Sequence, residues 1–178
     1  TSVNDFFADI VDVYCYTEIT FQLLDRIKYP PVYPIVATFQ TDADYKNSCR
    51  LRDVMFQFAY RYVYDDGEKS VLSPFSNIPL AYNQLIDGSY RDNDTSFNAI
   101  KLVFDTGPEI VVRIELLVRA GNYGIWKIFD KINKYDEIGN TIISSNVVDY
   151  EYMFYNNIIA EDADQSDLAR PMDYVPQI

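Results

Sequence analysis

The sequence predicts a mainly β chain, an antiparallel β-sandwich with extended terminal arms. Three observations predict it. Apolar and aromatic side chains recur at every second position in several short runs, the period of a strand with one face on a core. Aromatic residues make up 16% of the 178, with 16 Tyr and 11 Phe, a composition that favours strands. Turn-forming clusters of Asp, Asn, Gly and Pro separate the runs, although Gly is scarce at 6.

Taken in order, Ile19, Phe21 and Leu23 mark a first strand. After the stiff entry Pro30-Pro31-Val32-Tyr33-Pro34, Ile35, Ala37 and Phe39 alternate with Val36, Thr38 and Gln40. The strongest signal is VMFQFAYRYVY at 54–64. There Val54, Phe56, Phe58, Tyr60, Tyr62 and Tyr64 share one face, and Gln57 and Arg61 lie on the other. The expectation is one face on a core and one in solvent. Asp65-Asp66-Gly67-Glu68 supplies a turn, with Gly67 free to take positive φ. A returning strand is expected from Lys69, and Pro74 and Pro79 put its continuation at an edge or in a loop.

Downstream, Ile100, Leu102 and Phe104 alternate with Lys101 and Asp105, before the turn at 105–108. Val112, Ile114, Leu116 and Val118 alternate with Arg113, Glu115 and Arg119, before Ala120-Gly121-Asn122. Trp126 and Ile128 begin another strand whose register Ile125 and Phe129 blur, and Tyr150, Tyr152 and Phe154 form one more. Short helical pieces fit 3–13 and 124–134. Seven or more short strands with turns between them argue for a sandwich of immunoglobulin or fibronectin type III kind. The missing Cys–Trp–Cys spacing favours the second. The expected division is 1–49 as N-terminal strands or arm, 50–155 as the sandwich, and 156–178 as an extended acidic arm.

Charge narrows the function. With 27 acids against 15 bases the formal net charge is −12. Such a surface is repelled by phosphate backbones and anionic lipids, so sequence-specific nucleic-acid binding and membrane docking are not expected. No run approaches 18 consecutive apolar residues, so no helical membrane span is expected. No signal peptide is visible, and a chain starting at Thr1 fits a processed product or part of a longer polypeptide. Cys15 and Cys49 fit buried free thiols in a reducing compartment, and the sequence leaves their pairing open.

Catalytic and cofactor signatures are missing. The chain contains no His, which removes Ser-His-Asp and Cys-His arrangements, and no phosphate-cradling Gly-rich loop occurs. The acids cluster in turns, at 42–44, 65–68 and 92–94, where solvation accounts for them. The expectation is a non-enzyme without catalytic, cofactor or metal residues. One calcium-like pattern stands out: Asp162, Asp164, Ser166 and Asp173 occupy positions 1, 3, 5 and 12 of an EF-hand count. Asp167 stands where the loop's sharp turn requires Gly, and Pro171 stiffens it, so a solvated acidic loop fits better. Asp92-Asn93-Asp94-Thr95-Ser96 is a weaker oxygen cluster, and its Asn93-Asp94-Thr95 spells a glycosylation sequon. Tyr82, Tyr90, Tyr123 and Tyr135 lie near turns and are candidates for exposure, at a subunit contact or on a sugar or peptide platform.

The segment FAYRYVYDDGEKSVLSPFSNIPL resembles one that recurs in large virion proteins of crAss-like bacteriophages of Bacteroidales. The matching residues are Tyr64, Asp66, Gly67, Glu68, Ser70, Ser73, Phe75 and Ser76. VRIELLVRAGNYGIWKIFDKI is similar to the paired strands that follow in that family, with Arg119 and Trp126 in place. Arg170-Pro171-Met172-Asp173-Tyr174-Val175-Pro176 is similar to the segment that closes the module. The resemblance runs over 50–176. It implies a fibronectin type III-like structural module of the phage tail, of the muzzle-like assembly, and no catalytic residues. It further implies a virion location and partners that are copies of itself and neighbouring tail proteins; if the chain lines a tail lumen, its acidic surface would suit the passage of DNA. Family members are much longer, which agrees with a fragment. The alternative from the residues alone is a secreted or cell-surface module binding glycan or peptide through Tyr and Trp126.

Overall fold

The alternation first seen at 54–64 governs the architecture. The structure, a computed structural model, describes residues 28–45, 51, 54–79, 98–158, 160–164 and 168. Its strands are β1 (Val36–Gln40), β2 (Phe56–Tyr64), β3 (Ala99–Phe104), β4 (Val111–Ala120), β5 (Lys127–Asn133), β6 (Tyr150–Phe154) and β7 (Glu161–Asp162). They form two antiparallel sheets, a three-stranded one ordered β1-β3-β6 and a four-stranded one ordered β2-β4-β5-β7. The described residues hold one short 3-10 turn, Ala43–Tyr45. Ile19, Phe21, Leu23 and the helical piece at 3–13 lie outside the described residues.

The two sheets face each other across an aromatic core. Phe154 of β6 meets Phe58 of β2 edge-on at 5.1 Å between centroids, and Phe104 of β3 meets Tyr60 at 5.4 Å. Tilted and edge-to-face rings at these separations match the ring quadrupole. The even face of β2 lines this core from Phe56 to Tyr64, opposite Val111, Ile114, Leu116 and Val118 of β4. Ile35, Ala37, Ile100 and Leu102 close it from the other sheet. β1, from the stretch before residue 50, is therefore a full member of that sheet.

Five sequence expectations are corrected. The odd face of β2 is not in solvent: Ala59, Arg61 and Val63 are as buried as the aromatic face. A second apolar cluster covers it, made of Ala59, Leu72, Leu117, Trp126, Ile128, Ala163 and Leu168. Glu115, expected on the solvent face of β4, is buried with it. Val111 rather than Val112 takes the core position, because a bulge at Val63/Tyr64 shifts the β2–β4 register. The stretch 124–134 carries β5, not a helix. Ile125, Ile128, Phe129 and Ile132 have helical spacing, but a second bulge at Leu116/Leu117 produces it. That bulge turns Phe129 into the aromatic core while Ile128 stays in the second cluster. Val54, expected on the core face, is exposed just before β2 begins.

Where an arm is expected, after residue 156, the chain returns to the sheet. β7 pairs with the start of β5, Lys127 opposite Asp162 and Ile128 opposite Glu161, and Ala163 and Leu168 join the second cluster.

Candidate functional site

The segment after the β2 turn is a strap, not the returning strand expected from Lys69. It forms a single bridge, Val63 to Lys69, and then runs beside β2 in steps of three residues. The N–H groups of Ser70, Ser73 and Ser76 donate to the carbonyls of Tyr62, Tyr60 and Phe58 at 2.8–2.9 Å. The N–H groups of the same three strand residues donate back to the three serine Oγ atoms at 2.9–3.1 Å. Each hydroxyl in turn donates to the carbonyl of the next strap residue. A serine side chain thus replaces the carbonyl that a paired strand would offer, and each hydroxyl both accepts and donates. Pro74 is tolerated because only the serines need an N–H. Next, Asn77 exchanges two hydrogen bonds with the backbone of Ala37 in β1, at 3.1 and 2.9 Å. One strap therefore covers an edge of both sheets.

The outer face of β2 and β4 carries polar rungs between apolar ones. Arg61 stands opposite Glu115, and Nε donates to Oε2 at 2.7 Å, both side chains within 2% of full burial. Arg113 approaches the other Glu115 oxygen at 3.8 Å. Arg61 Nη1 and Arg113 Nε are buried without a hydrogen-bond partner, as is the Tyr60 hydroxyl in the core. Beyond the apolar Ala59–Leu117 rung, Arg119 donates to Gln57 Oε1 through Nε at 2.9 Å, and the Gln57 amide donates to the Ser76 carbonyl. The Arg119 guanidinium lies 4.7 Å from the ring centroids of both Phe75 and Trp126. Those rings are 5.1 Å apart. This knot ties the strap to the β4–β5 hairpin, and burial lowers the Arg119 pKa.

The two ends of the sheets differ. At the tip, around the 121–126 hairpin, Val54, Met55, Tyr123 and Ile125 are exposed, Tyr123 to 99%. The Gly121 N–H donates to the Met55 carbonyl at 2.7 Å and fixes the hairpin beside the start of β2. At the loop end, 134–149, Ile138, Ile142 and Val148 are exposed, Ile138 to 87%. Lys134 organises that end. Fully buried, its Nζ donates to the carbonyls of Thr106, Gly107 and Pro108 at 3.3, 3.2 and 2.8 Å. Burial pushes the Lys134 ammonium down to about 8, against the pull of Asp105 and Glu109. Gly107 takes φ +69°, and a Cβ there would lie 2.7 Å from the Tyr62 ring, so only glycine fits. Thr106 Oγ1 accepts from the Val147 N–H and donates to the Ser144 carbonyl. At the β2 turn, Lys28 bonds to Asp66 and Glu68, which raises its pKa and lowers that of Asp66.

The calcium-like pattern is not assembled among the described residues. Asp162 sits on β7 and pairs with Lys127 at 3.2 Å, while Ser166 and Asp173 lie outside the described residues. Asp164 is exposed. Among the described residues no three acidic, Cys or His side chains converge as a metal site. The Asp92–Ser96 cluster, Tyr82, Tyr90, Cys15 and Cys49 also lie outside them. Tyr123 is exposed as expected, whereas Tyr135 is half-buried and its hydroxyl donates to the Glu109 carbonyl. Sequence reasoning missed the Arg61–Glu115 pair and Lys134, since nothing local marks a charge as buried. The three-residue serine spacing was visible, and its ladder role was not. No protein-family model, no curated protein and no solved structure matches the chain.

Proposed function

We propose that this chain is a non-enzymatic structural component of a bacteriophage virion, part of a muzzle-like tail assembly. Its fold would be fibronectin type III-like, and it would act by packing against copies of itself and neighbouring tail proteins. The observation that carries this reading is that the residues bearing the family resemblance have architectural roles. Gly67 turns the chain with φ +82°, Ser70, Ser73 and Ser76 secure the strap, and Phe75, Arg119 and Trp126 tie it to the hairpin. The exposed apolar side chains at both ends add support, because neighbouring subunits would cover them. The net charge of −12 suits the wall of a conduit that DNA slides through without sticking. A neutral or basic lumen in an assembled particle would remove that last point.

Immunolabelling of purified particles tests the reading directly, with label expected at the tail. Particles free of the chain would overturn it. The second reading, a surface module for glycan or peptide, draws on the exposed Tyr123 and on Phe75, 47% exposed beside Arg119. Isothermal titration decides for it if micromolar sugar or peptide binding is seen.

A further inference from the structure

We propose that two copies of this chain pair through the edge of β6, antiparallel and centred on Tyr152, so that their three-stranded sheets join edge to edge. The inference rests on the reading that copies of the chain pack together, and it names the surface. The other sheet edges among the described residues are covered or blunted. The serine ladder lies along β2, and Asn77 holds both backbone groups of Ala37 on the outer side of β1. The second sheet ends in β7, two residues long, and beyond it the Asp130 carboxylate accepts the Lys131 N–H at 2.7 Å. Among the described residues β6 pairs with β3 alone, in an unbroken register, and its sequence YEYMF has neither Pro nor Lys. A bare, regular edge is a template for another strand, and proteins blunt such edges unless they use them.

The backbone sets which groups the edge offers. In antiparallel strands, pairs that exchange hydrogen bonds alternate with pairs that do not. Ala37 turns its N–H and carbonyl away from β3 to Asn77, so its partner Leu102 turns its own towards Tyr152 of β6. Glu151 and Met153 therefore point their N–H and carbonyl groups outward. A second β6, antiparallel about Tyr152, sets Glu151 opposite Met153 of the other copy at both ends of the contact. Each such pair can exchange both backbone hydrogen bonds. The side chains agree with this register. On the core face Tyr152 meets its counterpart and Tyr150 meets Phe154, and the half-buried Tyr150 and Tyr152 at the core margin gain cover. On the outer face Glu151, already paired with Lys101 at 2.6 Å, meets a methionine. Centring the contact on Glu151 instead would set two carboxylates face to face, which is unfavourable. The contact is isologous, so it closes as a two-fold dimer.

Sedimentation of the full chain tests this, at about 0.15 M salt, where repulsion between two net charges of −12 is largely screened beyond ~8 Å. The wild type is expected to reach twice the monomer mass as concentration rises. Met153→Glu is expected to stay at the monomer mass, because it sets a carboxylate opposite Glu151 of the other copy at both ends of the contact. Within one copy the same change brings a carboxylate beside Lys101, the β3 partner of Met153, so loss of the dimer is not loss of the fold. Adding Glu151→Lys to Met153→Glu puts opposite charges across the contact and is expected to restore the doubled mass. A wild type that stays monomeric, a Met153→Glu variant that dimerises like the wild type, or a double variant that stays monomeric overturns the proposal. Particle labelling decides the virion reading separately: a labelled tail with a monomeric wild type sinks the edge pairing alone, and a dimer absent from particles sinks the virion reading alone.

Discussion

From Phe58 to Tyr64 the two faces of β2 are equally dry and differently made. The inner face is five aromatic rings, Phe56, Phe58, Tyr60, Tyr62 and Tyr64, the first three packed on rings of the opposite sheet. The outer face runs Gln57, Ala59, Arg61, Val63, and its burial comes from a strap, a hairpin and the β7 segment rather than from a second sheet. On the inner face, stability is transfer of apolar surface and ring packing. The polar side chains of the outer face are paired, although Arg61 Nη1 and Arg113 Nε have no partner, and the desolvation they have undergone makes each pairing costly to break. Dryness therefore does not require hydrophobic residues, but it makes the polar ones intolerant of single changes.

The largest expected effects set the faces side by side. Phe58→Ala should cost ~3–5 kcal/mol as a cavity in the aromatic core, read by chemical denaturation. Arg61→Met should cost a similar ~3–5 kcal/mol by leaving the buried Glu115 carboxylate with only the long Arg113 contact. Adding Glu115→Leu to Arg61→Met should recover most of that loss, whereas no second change in the core repairs Phe58→Ala. If the double variant is as unstable as the single one, the outer face is not held by pairing and the contrast fails.

A middle-sized effect is expected at the strap. Ser73→Ala removes the acceptor for the buried Tyr60 N–H and should cost ~1–3 kcal/mol. Hydrogen exchange should show the Tyr60 amide losing protection while those facing β4 keep theirs.

Titration gives a smaller, signed effect. Below about 8 the folded and unfolded chains both hold the Lys134 proton. Between about 8 and the ordinary 10.5 the folded chain has released a proton that the unfolded chain keeps, so stability rises with pH. Burial pushes the Tyr60 phenol up to about 12 from 10.0, so across that interval the folded chain keeps a proton that the unfolded one has lost, and stability falls. Melting curves against pH should therefore peak on the alkaline side. Lys134→Met should abolish the rising limb and leave the falling one. Least of all, Tyr60→Phe removes a hydroxyl without a partner and should change stability by under ~1 kcal/mol.

Legibility in the sequence followed the same contrast. The inner face was legible because alternation is a local property of a strand, and ring after ring from Phe56 to Tyr64 declared it. The Asp65–Glu68 turn was legible for the same reason, with Gly67 at φ +82°. Arg61 looked solvated because a strand sequence carries no record of what lies over its far face. The alternation points to Val112 rather than Val111, and 124–134 carries helical spacing, because a bulge adds one residue to the period and mimics another register. The serine ladder was half legible. Its three-residue spacing is in the sequence, but the partner carbonyls and N–H groups sit on another strand.

By itself the sequence determined the class, mainly β with an aromatic core, and the position of most strands, since side-chain alternation and turn chemistry act between near neighbours. Only the tertiary structure decided which charges are buried, how the strap closes the sheet edges, and that apolar side chains gather at two opposite ends. Those depend on segments far apart in the chain meeting, as Arg61 meets Glu115 and Asn77 meets Ala37.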